Sequence, residues 1–293
     1  MNTKTILIGI SSFLLVLCTM PLGHGMMILM EHIIDKQYLF YASFVIGAVG
    51  LFLTIVGVFV NGDTKQTIFG LFGGLLFWTG WIEFAYVYYA HRFDIKPLID
   101  ATTGEIITKP EYLIMPSSIG FWVIFIVLYT FSIKTGCNFF NYIQKKLFKN
   151  SNTKIEIKPI ARHTSLVTFM ELNLLLWTSY LLLLFCYDDN FLGDTHPITT
   201  AVAAICLVGS IYMFIKQLKY KKWGYAIRYS IATVIVFWTF VEVLGRRNIF
   251  QEIWVHPLEY QNEMIAILIA FIGLWGVLIY NSKHKKQQTT NDN

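Results

Sequence analysis

The feature that most limits what this chain can become is a series of long, unbroken apolar runs. An α-helix needs roughly 20 such residues to cross the hydrocarbon of a bilayer. Eight runs of that kind fall at 5–30, 38–60, 67–91, 116–136, 165–187, 198–216, 224–247 and 262–281. They are continuous rather than alternating, so they do not fit the short two-faced strands of a membrane barrel. Turn-forming residues punctuate them at Asn61-Gly62-Asp63, Lys96-Pro97, Met115-Pro116, His196-Pro197 and His256-Pro257. Composition points the same way: 55% of the 293 residues are hydrophobic and 14% are charged. Soluble domains carry about 25% charge. The expected fold is all-α, a polytopic transmembrane helical bundle of eight spans.

Lysine and arginine orient the spans. Both tails and the even-numbered loops, with Lys134 and Arg228 beside them, hold 17 basic residues, and the odd-numbered loops hold 6. The positive-inside rule then puts both termini in the cytoplasm. The expected location is the plasma (inner) membrane of a bacterium. Met1-Asn2-Thr3-Lys4 and the run behind it resemble a signal sequence. No small-x-small cleavage site follows, so the first helix is expected to be retained. The basic balance is accounted for by membrane orientation and implies no nucleic-acid partner. The lipid bilayer is the partner the chain requires.

The organisation expected is an N-terminal four-helix half at 1–136, a basic cytoplasmic loop at 137–164, a C-terminal four-helix half at 165–281 and a polar tail at 282–293. A faint repeat accompanies it. Phe77-Trp78-Thr79 precedes Glu83, Phe237-Trp238-Thr239 precedes Glu242, and Leu176-Trp177-Thr178 recurs in the fifth run. If these are related, repeated hairpins descend from one unit. The cysteines, Cys18, Cys137, Cys186 and Cys206, form no CxxC and read as structural thiols.

Ionisable groups inside a span are costly and need a partner, a cavity or a function. Four regions carry them. His24, Met27 or Ile28, and Glu31 form one stripe on the first helix, with His32 just beyond. Glu83 precedes Tyr86, Tyr88, Tyr89 and His91. Glu242 and Arg246 lie four apart, the spacing of an internal ion pair. Glu171 and Asn173 lie deep toward the cytoplasm, where Arg162, His163 or Arg228 are expected to pair with the acid. Five of the seven histidines, His24, His32, His91, His196 and His256, fall in or beyond the outer half. Glu31, Glu83, Glu242, Glu252 and several aspartates share that half.

Imidazole with carboxylate binds transition metals or relays protons. The leading expectation is an outward-facing intramembrane site with Glu83 and Glu242 as catalytic acids. His24, Glu31, His32, His91, His196 and His256 would be its metal ligands. Copper or iron, or a haem, would serve a membrane oxidoreductase acting on a lipid-soluble substrate. Two other readings stand beside it. Glu83 and Glu242 are placed as the coupling carboxylates of a small proton- or ion-coupled transporter would be. The polar groups would equally serve as interhelical ties in a non-catalytic subunit or assembly factor bound to other membrane subunits. No HExxH, HxxxH, GxGxxG, Walker A or GxSxG motif is present, so local motifs do not decide whether the chain is an enzyme.

Overall fold

The computed structural model of the protein describes residues 3–99, 104, 106–132 and 163–291. Eight helices within them are long and apolar enough to cross a membrane. Span 1 is Thr3–Ile33, span 2 Tyr38–Phe59, span 3 Asp63–Arg92 and span 4 Pro110–Tyr129. Span 5 is Thr164–Tyr187, span 6 Pro197–Gln217, span 7 Trp223–Arg246 and span 8 Gln261–Ile279. The protein is an integral membrane protein of the all-α helical-bundle class.

Spans 1, 3, 5 and 7 are half or more buried, whereas spans 2, 4, 6 and 8 expose most of their surface. Spans 3, 5 and 7 are also among the less apolar of the eight. The physical reason is that only a helix shielded from lipid can carry polar side chains cheaply. The four inner spans meet in one apolar core around Leu15, Val16, Leu71, Leu172, Ile227, Ile231 and Val234. Span 1 packs on spans 7 and 8, and span 3 packs on spans 2, 5 and 7.

The inner spans start at one end, the end rich in lysine. There Arg228 at the start of span 7 pairs with Asp63 at the start of span 3, 3.0 Å apart. Arg228 also donates to the Thr67 hydroxyl and stacks over Tyr225, 4.7 Å from the ring centre. Thr164 at the head of span 5 reaches Asp63 at 3.4 Å. Gln217 at the end of span 6 donates to the Gly9 carbonyl at 2.7 Å. This basic end is thus tied across five spans. Arg228 is therefore the partner of Asp63 and not of Glu171. Glu171 accepts a hydrogen bond from Tyr129 at 2.7 Å, and Arg162 lies outside the described residues.

Small residues let spans 2 and 3 approach closely. A side chain at Gly80 would meet the Gly47 backbone nitrogen at 2.3 Å, and one at Gly73 would meet the Thr54 hydroxyl at 2.1 Å. Without a hydrophobic drive between helices in lipid, such close packing is what holds them together. Span 3 is not a regular helix. Trp78–Glu83 forms a π-helical turn, in which the Phe84 N–H reaches back to the Thr79 carbonyl.

Three boundaries differ from the sequence expectation. Span 4 begins earlier, at Pro110, and bends through a 3₁₀ turn at Met115–Ser118, where Pro116 lacks the N–H that a continuous α-helix needs. The last helix runs on to Asn291, through most of the expected polar tail. Two short antiparallel strands, Leu98–Ile99 and Ile106–Thr108, form a hairpin between spans 3 and 4. The expected 137–164 loop lies outside the described residues up to position 162, with Cys137 in it. Cys18, Cys186 and Cys206 are free thiols.

Candidate functional site

At the end opposite the Arg228–Asp63 pair, polar side chains from four inner spans and span 4 come together. Span 1 supplies His24. The ring Nδ1 lies 3.2 Å from the Met20 carbonyl, one turn back on the same helix. A carbonyl only accepts, so Nδ1 carries the hydrogen of that bond. Nε2 faces the Tyr180 hydroxyl of span 5 at 3.2 Å.

Span 3 supplies Glu83, the last residue of the π-turn and only 4% exposed. The extra residue in a π-turn shifts everything after it around the helix, and such turns recur at functional sites. Glu83 lies within electrostatic reach of Tyr180. It also lies within electrostatic reach of His24, Lys109, Glu111 and Glu31. Span 7 supplies Glu242, which accepts a hydrogen bond from the Trp238 indole N–H at 2.6 Å. Glu252, from the segment after span 7, turns back until its carboxyl rests on Gly245. A side chain at Gly245 would meet it at 2.3 Å. Burial, with the charge of Glu242 added, pushes the Glu252 carboxyl up to about 7.

Aromatic rings fill the space between these groups. Trp78 packs on Tyr180 with ring centres 5.4 Å apart, and Tyr112 of span 4 lies 6.2 Å from the same ring. Trp238 is 6.4 Å from the His24 ring and 4.7 Å from Trp254. Tyr112 and Tyr180 each lie within electrostatic reach of both Glu83 and Glu242. By helix rise, His24 lies about 13 Å inside the Ile33 end of span 1, and Glu83 is at a comparable depth from Arg92. Glu242 is shallower, one turn from Arg246.

The sequence expectations divide here. His24, Glu83 and Glu242 converge, and Glu31 is near them. The other four histidines do not touch that group, although His256 lies within electrostatic reach of Glu252. His32 is exposed, with its ring Nδ1 on the Ile28 carbonyl at 2.9 Å. His91 and His256 are exposed. His196 caps span 6, its ring Nδ1 accepting the Ile198 N–H at 3.2 Å. Among the described residues no three His, Cys, Asp or Glu side chains are grouped as a bound metal ion would need.

The expected Glu242–Arg246 ion pair is also replaced. Arg246 pairs with Asp194 in the loop between spans 5 and 6 at 3.1 Å, and donates to Thr108 of the hairpin at 3.1 Å. Arg247 donates to the Asp194 carbonyl at 2.7 Å. Helical spacing allowed the internal pair, but a partly exposed loop carboxylate costs less to ionise than one inside the bundle.

Tyr112 and Tyr180 are site residues that were not singled out from the sequence, Trp238 was noted only as part of the faint repeat, and Glu252 only as one of the outer acids. The signal for Tyr180 was a tyrosine within the run Leu174–Phe185, at a depth where it belongs to no interface belt. Tyr88 and Tyr89, by contrast, are exposed and belong to that belt.

Fold and site together define an integral membrane protein of eight spans with a polar group set into one half of the bundle. No protein-family model, curated protein or solved structure matches the chain.

Proposed function

We propose that the protein is a proton-coupled membrane carrier whose coupling carboxylates are Glu83 and Glu242. The observation that supports this most is their arrangement. Glu242 on span 7 accepts from Trp238, and Glu83 on the packed span 3 lies within electrostatic reach of His24 and Tyr180, which are themselves bonded. Carboxyl groups held in a bundle favour the protonated state until a counter-charge or water arrives, and coupled carriers use that property. π-turns recur at functional sites, and the one in span 3 ends at Glu83. With both termini assigned to the cytoplasm by their lysines, the site lies toward the extracytoplasmic side. The Arg228–Asp63 tie and the apolar core fill the cytoplasmic half.

The test is transport by the full chain in proteoliposomes with a pH dye trapped inside, challenged with panels of amino acids, carboxylic acids and organic cations. Proton movement with one solute class is expected, and Glu83→Gln with Glu242→Gln is expected to abolish it. Uptake that survives the double substitution overturns the reading.

A membrane oxidoreductase carrying copper, iron or haem is the second reading. Its support is that Glu83 lies within electrostatic reach of both His24 and Glu31. Metal analysis and an optical spectrum of the same purified protein decide it: stoichiometric metal or a haem band favours it, and their absence counts against it.

A further inference from the structure

We propose that the turn between spans 6 and 7, with the start of span 3 beside it, is a docking site for the headgroup of an anionic phospholipid. The inference goes beyond the carrier reading and does not depend on it. The connection from Gln217 to Trp223 holds Lys219, Lys221 and Lys222, all exposed, and Lys65 is exposed on the first turn of span 3. The two places adjoin, since a side chain at Gly224 would run into the Asp63 carboxyl and the Thr64 backbone. None of these four lysines is ion-paired with a described residue. Asp63 is the one acidic side chain among the described residues of the two turns, and Arg228 takes it at 3.0 Å. The patch therefore keeps a positive charge that nothing within it balances.

Membrane orientation explains why lysines lie on this side, but it asks nothing of how they are held. Here they are held in place. Gln217, fully buried, donates to the Gly9 carbonyl of span 1 at 2.7 Å. The turn that follows closes on itself: the Lys219 N–H donates to the Lys216 carbonyl at 3.2 Å, and the Tyr220 N–H to the Gln217 carbonyl at 3.0 Å. Tyr220 packs on Tyr229 with ring centres 5.2 Å apart. The Lys222 ammonium sits 5.9 Å from the centre of the Tyr225 ring, on which Arg228 also stacks. An incoming phosphate meets lysines on an ordered backbone, so little freedom is lost when it binds.

The surroundings favour a lipid over a soluble anion. Only five residues separate spans 6 and 7, so the lysines stay at the membrane surface. Tyr212 and Tyr225 are exposed near the same helix ends, and exposed tyrosines there mark the level of the headgroups. Ile211 and Ile215 are exposed on span 6 directly inside that level, where acyl chains would lie. Clustered lysines beside a span attract anionic headgroups, and the apolar face below them accepts the tails.

The test is native mass spectrometry of the full chain, released from detergent with phosphatidylglycerol or phosphatidylcholine added. Phosphatidylglycerol is expected to stay bound and phosphatidylcholine to leave. Lys219→Gln with Lys221→Gln and Lys222→Gln is expected to cut retained phosphatidylglycerol by about 10-fold or more. Lys283→Gln with Lys285→Gln and Lys286→Gln removes the same charge from the tail and is expected to leave retention unchanged. Equal retention in the two triple variants overturns the site, as does phosphatidylcholine held as strongly as phosphatidylglycerol. Full displacement of the lipid by inorganic phosphate at the same concentration overturns the lipid assignment, and retention against it supports that assignment. Should the turn variant fail to fold, a photoreactive phosphatidylglycerol on the unaltered chain decides. Crosslinks mapped to 62–66 and 218–225 support the site, and crosslinks spread evenly over the other helix ends overturn it.

Discussion

At the scale of single residues, the site rests on what each buried polar atom is bonded to. Glu242 takes the Trp238 indole N–H at 2.6 Å. Trp238→Phe keeps most of the ring and removes that donor. It is expected to lower stability by about 1–2 kcal/mol, read from the thermal midpoint in nanodiscs. Glu252 gives a pH signature. Its carboxyl is lifted from the ordinary 4.5 to about 7, mainly by burial. The folded chain therefore holds that proton more tightly than the unfolded one. The stabilisation this brings is complete below the ordinary carboxyl pKa and is lost as pH rises through about 7. Glu252→Gln cannot titrate, so the difference in thermal midpoint between about pH 5 and about pH 8 is expected to shrink. An undiminished difference would assign the pH dependence to another group.

At the scale of elements, span 3 is the unusual one. Its neighbour span 2 crosses it at Gly47 and Gly80, where the two backbones touch, and Gly80 lies inside the π-turn that ends at Glu83. Trp81 of the same turn donates to the Phe44 carbonyl at 2.9 Å, which clamps span 2 against it. Gly80→Ala forces a methyl against the Gly47 nitrogen, a backbone atom that cannot step aside. A loss of about 1–3 kcal/mol is expected, measured by thermal unfolding. The same substitution is expected to reduce proton-coupled uptake, because it moves the turn that aims Glu83. The threefold Trp-Thr repeat is less uniform in space than in sequence. Trp238 bonds an acid on its own helix, whereas Trp177 donates to Ser118 of span 4 at 2.9 Å. Thr178 and Thr239 both turn back to their own helix carbonyls.

At the scale of the whole molecule, the bundle has a closed basic end and a polar opposite end. The Arg228 side chain is 5% exposed and its Asp63 partner 39%. Asp63→Asn leaves a buried guanidinium without its counter-charge. Because Asp63 itself is partly solvated, the expected loss is about 1–3 kcal/mol rather than the full cost of breaking a buried pair. Asp63→Asn with Arg228→Met removes the stranded charge and is expected to recover part of that loss. A double variant no more stable than the single one would show that Asp63 acts through Thr164 instead.

Much of this was legible along the chain. Eight spans follow from the length of the apolar runs alone, because a helix in lipid must satisfy every backbone group internally and needs no partner to do so. Which spans would be central was also implicit: the polar regions around His24, Glu83, Glu171 and Glu242 lie on spans 1, 3, 5 and 7, and those are the inner helices. The partners were not legible. Sequence spacing measures neighbours on one helix, so it offered Arg246 to Glu242 and counted outer histidines together. Whether His24 meets Tyr180, or Arg228 meets Asp63, depends on how helices rotate and cross. That is fixed by small residues such as Gly47 and Gly80 and by a π-turn that shifts one face of span 3. Local sequence determined that this protein spans a membrane and where its polar groups enter it, because burial in lipid acts on each segment separately. Only the packing of segments far apart in the chain decided which of those groups touch.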